Sequence, residues 1–321
     1  MHIFGEEEVL SIPFHVVIFM LTGCPMLAFV LCLSTSILLH YEMAVSTHCG
    51  VPNWLPSLSA VVAYAPERYI WRFLLGISCT PRLAMSFAFR NYLISSSLWP
   101  LPLLSRFRWA CHLACALNVI EIVSLTLLAM ISSVEDHFLH MILFNAFVIC
   151  GTLHMVIATW LFDLSGRRRS SKIVIEIVSL TLLAMISSVE DHFLHMILFN
   201  AFVICGTLHM VIATWLFDLS GRRRSSKIGE ISFQAKAFCC IGQIISLVFA
   251  LYFFYRHNSY CEPGMYTLFA LAEYSLILFN GLFHTTIYYE FQSRVLSLVT
   301  AALKANYYLL SSHDYSEKRG T

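Results

Sequence analysis

Long apolar runs, one after another, decide what this chain can be. Stretches 12–39, 69–94, 108–133, 139–162, 173–189, 194–217, 234–254 and 266–289 are each built almost wholly of apolar residues. About 20 such residues make a helix long enough to cross the ~30 Å hydrocarbon core of a bilayer. Inside that core each backbone N–H and C=O must find its partner within the segment, so runs of this kind become helices. Composition agrees: 58% of the 321 residues are apolar and 12% charged, against roughly 45–50% and about 25% in a soluble globule. The expected fold is all-α, a polytopic membrane helix bundle forming a single multi-span domain over 1–321. The first run is too long for a signal-peptide core and has no clear small-residue cleavage site, so it reads as a retained span.

Residues 119–173 and 174–228 are the same 55 residues written twice without a change. Repeat units normally diverge, because each sits in different surroundings. An unchanged copy marks a recent duplication, or one exon read twice. Excising either copy leaves the same shorter chain, with six spans in place of eight. The unit carries two spans, so its duplication leaves everything downstream on its own side of the membrane. The copies are not equivalent. Val119 follows the apolar WACHLACALN, whereas Val174 follows GRRRSSKI. The copy-two span therefore has only about 17 apolar residues, or roughly 25 Å of helix. It is expected to fit the bilayer less well.

Lys and Arg placement sets orientation. Arg90, Arg106, Arg108, Arg167–Arg169, Arg222–Arg224, Lys236, Lys304, Lys318 and Arg319 fall on one side, the expected cytosolic side. The alternate loops 47–57, 132–140 and 255–265 are then lumenal. Arg256 breaks this pattern. The net charge of +1 and two short Arg clusters give no sign of nucleic-acid binding. No phosphate-binding loop, nucleophile elbow, HExxH or CxxC motif is present, and no metal or cofactor is expected. Nine of eleven cysteines lie in apolar stretches, where a thiol behaves as a small hydrophobe. Cys49 and Cys261 are the lumenal exceptions; a disulfide tying the first loop to the last is one reading, two free thiols the other.

Arg72, Arg82, Glu121, His154, Glu273 and His284 lie inside expected spans. Such positions usually face a bundle interior or a water-filled cavity. They form either a polar site for a lipid head group or a hydrogen-bond network between helices. Arg82, directly after Pro81, also reads as a residue at a kink near an interface. The lumenal loops carry His48 and Cys49; Glu135, Asp136 and His137; and Arg256, His257 and Glu262. A His beside a carboxylate can act as an oriented general base, and a solvated turn joining two helices accounts equally for 135–137.

The segments THCGVPNWLPSLSA (47–60), PERYIWRF (66–73), Pro81-Arg82, LNVIE (117–121), SSVEDHF (132–138) and YRHNSYCEPGMYTLFALAEY (255–274) occur in order. Together they resemble the post-GPI attachment to proteins factor 2 family, whose wider group includes the six-span damage-regulated autophagy modulators. The resemblance implies a multi-pass membrane protein of the Golgi, with the endoplasmic reticulum the second location, needed for lipid remodelling of GPI-anchored proteins. A lyso-GPI lacking its sn-2 chain would there be reacylated with a saturated one. The implied partners are GPI-anchored lyso-lipid proteins and membrane lipids.

The family's distinctive stretches map onto His48, Cys49, Arg72, Glu121, Glu135, Asp136, Arg256, His257, Cys261, Glu262 and Glu273. If the chain is an acyltransferase or an obligatory component of one, His48, Glu135, Asp136 or His257 would deprotonate the glycerol hydroxyl. Arg72, Arg256 or both would hold the inositol phosphate in a bidentate fork, with Glu121, Glu262 and Glu273 beside the substrate. The alternative is a non-catalytic scaffold or lipid-binding adaptor of the autophagy-modulator type. A transporter is disfavoured, since no inverted repeat or pair of broken helices is seen. The chain departs from the family in its acidic N-terminus, in 91–105, and in the duplication, which leaves two Glu-Asp-His loops, Glu135–His137 and Glu190–His192. Deleting 174–228 removes two spans together. A tag placed after Thr321 is expected to stay on the cytosolic side in that variant, as read by protease protection of sealed microsomes.

Overall fold

The computed structural model describes residues 8–96, 101–131, 136–165, 191–291 and 295–299. Its long helices are α1 (Phe14–Leu39), α4 (Glu67–Ser96), α5 (Leu101–Met130), α6 (His137–Ser165), α7 (Asp191–Leu219), α9 (Lys227–Tyr260) and α10 (Met265–Thr285). Short helices α2 (Tyr41–Val45), α3 (Leu58–Val61), α8 (Arg222–Ser225) and α11 (Ile287–Phe291) lie between or beyond them. Among the described residues, five helices are long and apolar enough to cross a membrane: α1, α5, α6, α9 and α10 extended to Glu290. In α7 the qualifying apolar part is the shorter Val203–Leu219. Helix α4, 30 residues long, carries Arg68, Arg72, Arg82 and Arg90, which lower its hydropathy. The expected span 173–189 lies outside the described residues.

Two strands depart from the all-helical expectation. β1 (Glu8–Pro13) pairs antiparallel with β2 (Val295–Val299), joining the two ends of the chain. The first span consequently starts at Phe14 rather than residue 12. Within α1 the turn Phe19–Gly23 is π-helical. It immediately precedes Pro25, which has no N–H to give to the carbonyl four residues back; a local π-turn is one way a helix absorbs such a gap.

Each long helix packs against its neighbours in chain order, α1 on α4, α4 on α5, α5 on α6, α6 on α7, α7 on α9 and α9 on α10. Helix α10 returns to α1, where Thr285 Oγ1 lies 3.2 Å from Thr22 Oγ1 and the Tyr274 ring stands edge-on to Phe29. The helices thus close on themselves. Three apolar clusters fill the contacts. Leu93, Phe107, Cys111 and Leu161 join α4, α5 and α6. Phe144 and Val148 of α6 meet Leu128 of α5. Met210, Cys239, Cys240 and Phe283 join α7, α9 and α10. Outward-facing residues are apolar too: Leu38 is 81% exposed and Phe73 69%, positions that only a lipid environment would cover at no cost.

The end bearing β1, β2, α8 and α11 gathers the basic residues. Arg223 pairs with Glu230 at 2.7 Å and Asp218 at 3.3 Å, Arg222 with Glu290 at 3.4 Å, and buried Lys236 with Glu290 at 2.6 Å. This is the cytosolic end by the placement of Lys and Arg. Ser226 caps α9 by accepting the Gly229 N–H at 3.0 Å. A Cβ on Gly229 would stand 2.2 Å from the Arg222 carbonyl oxygen, a backbone atom that cannot swing aside. Gly229→Ala is expected to displace α8, cost about 1–3 kcal/mol and lower the melting temperature of the detergent-solubilised protein by several degrees.

Candidate functional site

Chain segments far apart in sequence meet at the opposite end, the one expected from charge placement to be lumenal. Helix α9 stops at Tyr260 because Cys261 adopts the left-handed conformation, its N–H bonded to the His257 carbonyl at 2.9 Å. Gly264, at φ +79°, completes the turn into α10. A side chain at Gly264 would be strained and would also strike the Trp54 ring, 2.9 Å from its Cβ position. The loop after α2 lies directly against this turn. Gly264 N–H donates to the Pro52 carbonyl at 3.1 Å, and Trp54 N–H to Thr267 Oγ1 at 2.8 Å. Tyr266 donates to Ser57 Oγ at 2.8 Å and Tyr274 to the Pro56 carbonyl. Asn53, Pro56 and Ser57 are buried as a result. Cys49 and Cys261 are bonded as a disulfide, with Cα atoms 5.3 Å apart.

The disulfide brings His48 and His257 together. Their ring centroids lie 5.6 Å apart, edge to face, and His48 Nε2 is 3.3 Å from Cys49 Sγ. His257 is 2% exposed, lies 5.1 Å from the Tyr266 ring, and has no hydrogen-bond partner on either ring nitrogen among the described residues. A buried imidazole with both nitrogens unspent is unusual. It is equipped to accept a proton from, or hydrogen-bond to, something entering from the lumen.

The other sequence-selected residues separate into distinct settings. Asp136 accepts the Leu139 N–H at 2.9 Å, capping α6. Glu135 and Glu190 lie outside the described residues. Arg256 forks onto Glu262, through Nε at 3.1 Å and through Nη2, so its charge is met within its own loop. Arg72 donates from Nε to the Ala129 carbonyl at 3.2 Å and lies over the Tyr69 ring, bracing α4 against the end of α5. Glu273 accepts the Leu58 N–H at 3.2 Å, holding α3 from across the bundle.

Two pairings are not specified by the sequence, although Arg82 and Glu121 are each singled out in it. Glu67, 1% exposed, pairs with His40 Nδ1 at 2.9 Å; its place in PERYIWRF was its sequence trace. Glu121 pairs with Arg82 at 2.9 Å in the middle of the bundle. Arg82 is therefore not an interfacial residue at the Pro81 kink: it stands 15 residues into α4, about 22 Å along it.

Two stretches, 13–176 and 172–294, match the Frag1/DRAM/Sfk1/Cwh43P N-terminal domain family; they meet at the junction between the two identical copies. The chain is 38% identical to post-GPI attachment to proteins factor 2 of Caenorhabditis briggsae over 95% of its own length and 96% of that protein's. The Caenorhabditis elegans protein of the same name is also 38% identical, over 96% of each chain. A Xenopus tropicalis protein named acyltransferase PGAP2 is 27% identical over 92% of this chain and 94% of its own. No solved structure matches the chain. The Cys49–Cys261 bond closes a separation of 212 residues. Cys49→Ser or Cys261→Ser is expected to cost about 2–4 kcal/mol, seen as a lower melting temperature, and to abolish the mobility difference between reduced and non-reduced gels.

Proposed function

This chain belongs to the post-GPI attachment to proteins factor 2 family, and from that premise we propose that it acts in the lipid remodelling of GPI anchors. The step is reacylation of lyso-GPI-anchored proteins at the lumenal face of the Golgi membrane. The observation that carries this reading is the lumenal junction. There the segments most distinctive in the sequence, around His48–Cys49 and His257–Cys261, are locked together around an unpartnered buried imidazole. The lyso-GPI would lie with its phosphoinositol head toward this end and its remaining chains among the apolar helices.

His257 is the residue placed to accept the proton of the glycerol hydroxyl, with His48 beside it. Glu67 and His40 supply a second acid–base pair in the same lumenal layer. Arg256 and Glu262 hold the last loop in shape. A lipid-binding role without chemistry is the second reading, favoured by the position of Asp136, whose carboxylate is engaged as a helix cap instead of facing either histidine.

Expression in GPI-remodelling-deficient cells separates the two. Wild type is expected to restore saturated sn-2 chains on GPI-anchored proteins, as read by mass spectrometry of released lipid. His257→Ala is expected to reduce that signal at least tenfold while the Cys49–Cys261 bond still forms. Full restoration by His257→Ala and by His48→Ala would leave only the non-catalytic reading. No restoration by wild type would overturn both.

A further inference from the structure

Arg82 and Glu121 form a salt bridge where a bilayer-spanning bundle can least accommodate an idle one. Glu121 is nearly enclosed, its side chain 9% exposed, but the Arg82 side chain is 33% exposed. Room for the carboxylate comes from Gly151 on α6, whose Cβ would stand 3.3 Å from Glu121 Cδ. Histidines of two further helices interact with the pair, and a third histidine interacts with them. His154 of α6 interacts electrostatically with Glu121 and Arg82. His284 of α10 interacts with Arg82, and His209 of α7 with His284 and His154. His154 and His209 are partly exposed and His284 is exposed.

A guanidinium carries five N–H donors. Among the described residues Arg82 has one hydrogen bond, from Nη2 to Glu121 Oε1. Donors left unmet at mid-membrane each cost several kcal/mol, so a second acceptor belongs there. The fork geometry of arginine fits phosphate oxygens two at a time. His154 adds a second criterion. Its Nδ1 lies 3.0 Å from the Ala114 carbonyl, to which it donates; in the neutral ring Nε2 is then an acceptor. An acceptor near a phosphate-binding guanidinium suits a hydroxyl-bearing head group.

We propose that Arg82, with Glu121 as its counter-ion and His154 beside it, is a subsite for the phosphodiester of an inositol-bearing lipid. The inference rests on the remodelling role only for the identity of the natural lipid; the subsite itself follows from geometry. Glu121 acts as the counter-ion that neutralises the guanidinium until a phosphate meets its free edge.

The test uses the purified full chain in mixed micelles containing equal phosphatidylinositol and phosphatidylcholine, with bound lipid read by native mass spectrometry. Wild type is expected to retain phosphatidylinositol at least tenfold over phosphatidylcholine. Arg82→Gln leaves Glu121 unpaired and endangers folding, so the deciding variant is the neutral double change Arg82→Gln with Glu121→Gln. It is expected to lose the preference while the Cys49–Cys261 bond and melting temperature persist. Glu121→Gln alone frees the guanidinium and is expected to keep or raise retention, which a purely structural pair would not do. Arg90→Gln, at the cytosolic end of the same helix, is expected to retain it. Equal retention of the two lipids by wild type, or undiminished preference in the folded double variant, would overturn the proposal. Because the assay reads binding alone, loss of remodelling with intact binding counts against the proposed function and not against the subsite.

Discussion

One covalent bond, between Cys49 and Cys261, fixes the geometry on which the lumenal end depends. Without it, the loop after α2 would be held to α9 and α10 by hydrogen bonds that water can replace, each worth about 1 kcal/mol net. With it, Pro52, Trp54, Pro56, Ser57 and Leu58 are brought against one turn and one helix face, and their bonds to Gly264, Thr267, Tyr274, Tyr266 and Glu273 form together. The burial of His257 follows from the same closure. So does the meeting of α1 with α10, because the loop that crosses the lumenal end leads out of α1. A polar loop driven into an apolar bundle is tolerable only when its backbone groups are met, and here α10 supplies them: Thr267, Glu273 and Tyr274 are its polar residues on the side facing α3.

The duplicated unit shows how little a sequence fixes without its surroundings. Helices α6 and α7 hold the same residues over most of their length, yet α6 packs chiefly on α5, whereas α7 packs equally on α6 and α9. Gly151 of α6 lies against the Glu121 carboxylate, whereas its counterpart Gly206 of α7 has nothing within 4 Å. Met210 of α7 is buried in a cluster with Cys239 and Cys240, while its counterpart Met155 is only partly covered. In a chain with one copy, a single helix must face both neighbours. With two copies the faces are divided: one helix keeps the contact on the N-terminal side, the other that on the C-terminal side.

The helices were legible because period, length and charge all point the same way. Runs beginning near 12, 69, 139, 194 and 266 start within three residues of the helices found. The start of α5 at Leu101 was missed, since Arg106 and Arg108 look like a loop when sidedness is read from charge, although both sit on its first turns. The β1–β2 pair was invisible, because strand pairing between chain ends nearly 300 residues apart leaves no local pattern. In the site, residues that belong to unusual polar loops, His48, Cys49, His257 and Cys261, could be picked out. Their partners could not: the sequence assigns Arg72, Arg256 or both to a phosphate when Glu262, six residues on from Arg256, already meets Arg256, and it leaves Arg82 open between a head-group site, an inter-helix network and a kink near an interface when Glu121 waits on the next helix.

That last pair explains why an all-apolar interior was not the outcome. Replacing a buried ion pair with well-packed hydrophobic residues is often neutral or stabilising, so Arg82 and Glu121 are weak candidates for mere glue. A structural pair would be closed, each charge sealed by the other and by local dipoles. This one is asymmetric: the carboxylate is enclosed and backed by Gly151, while the guanidinium side chain is a third exposed. Enclosing the anion and leaving the cation accessible keeps a positive charge available at a depth where an unpaired arginine could scarcely be held. On the readings proposed above, the His257 imidazole and the mid-membrane guanidinium are separate sites, one for proton transfer and one for retention of a phosphate.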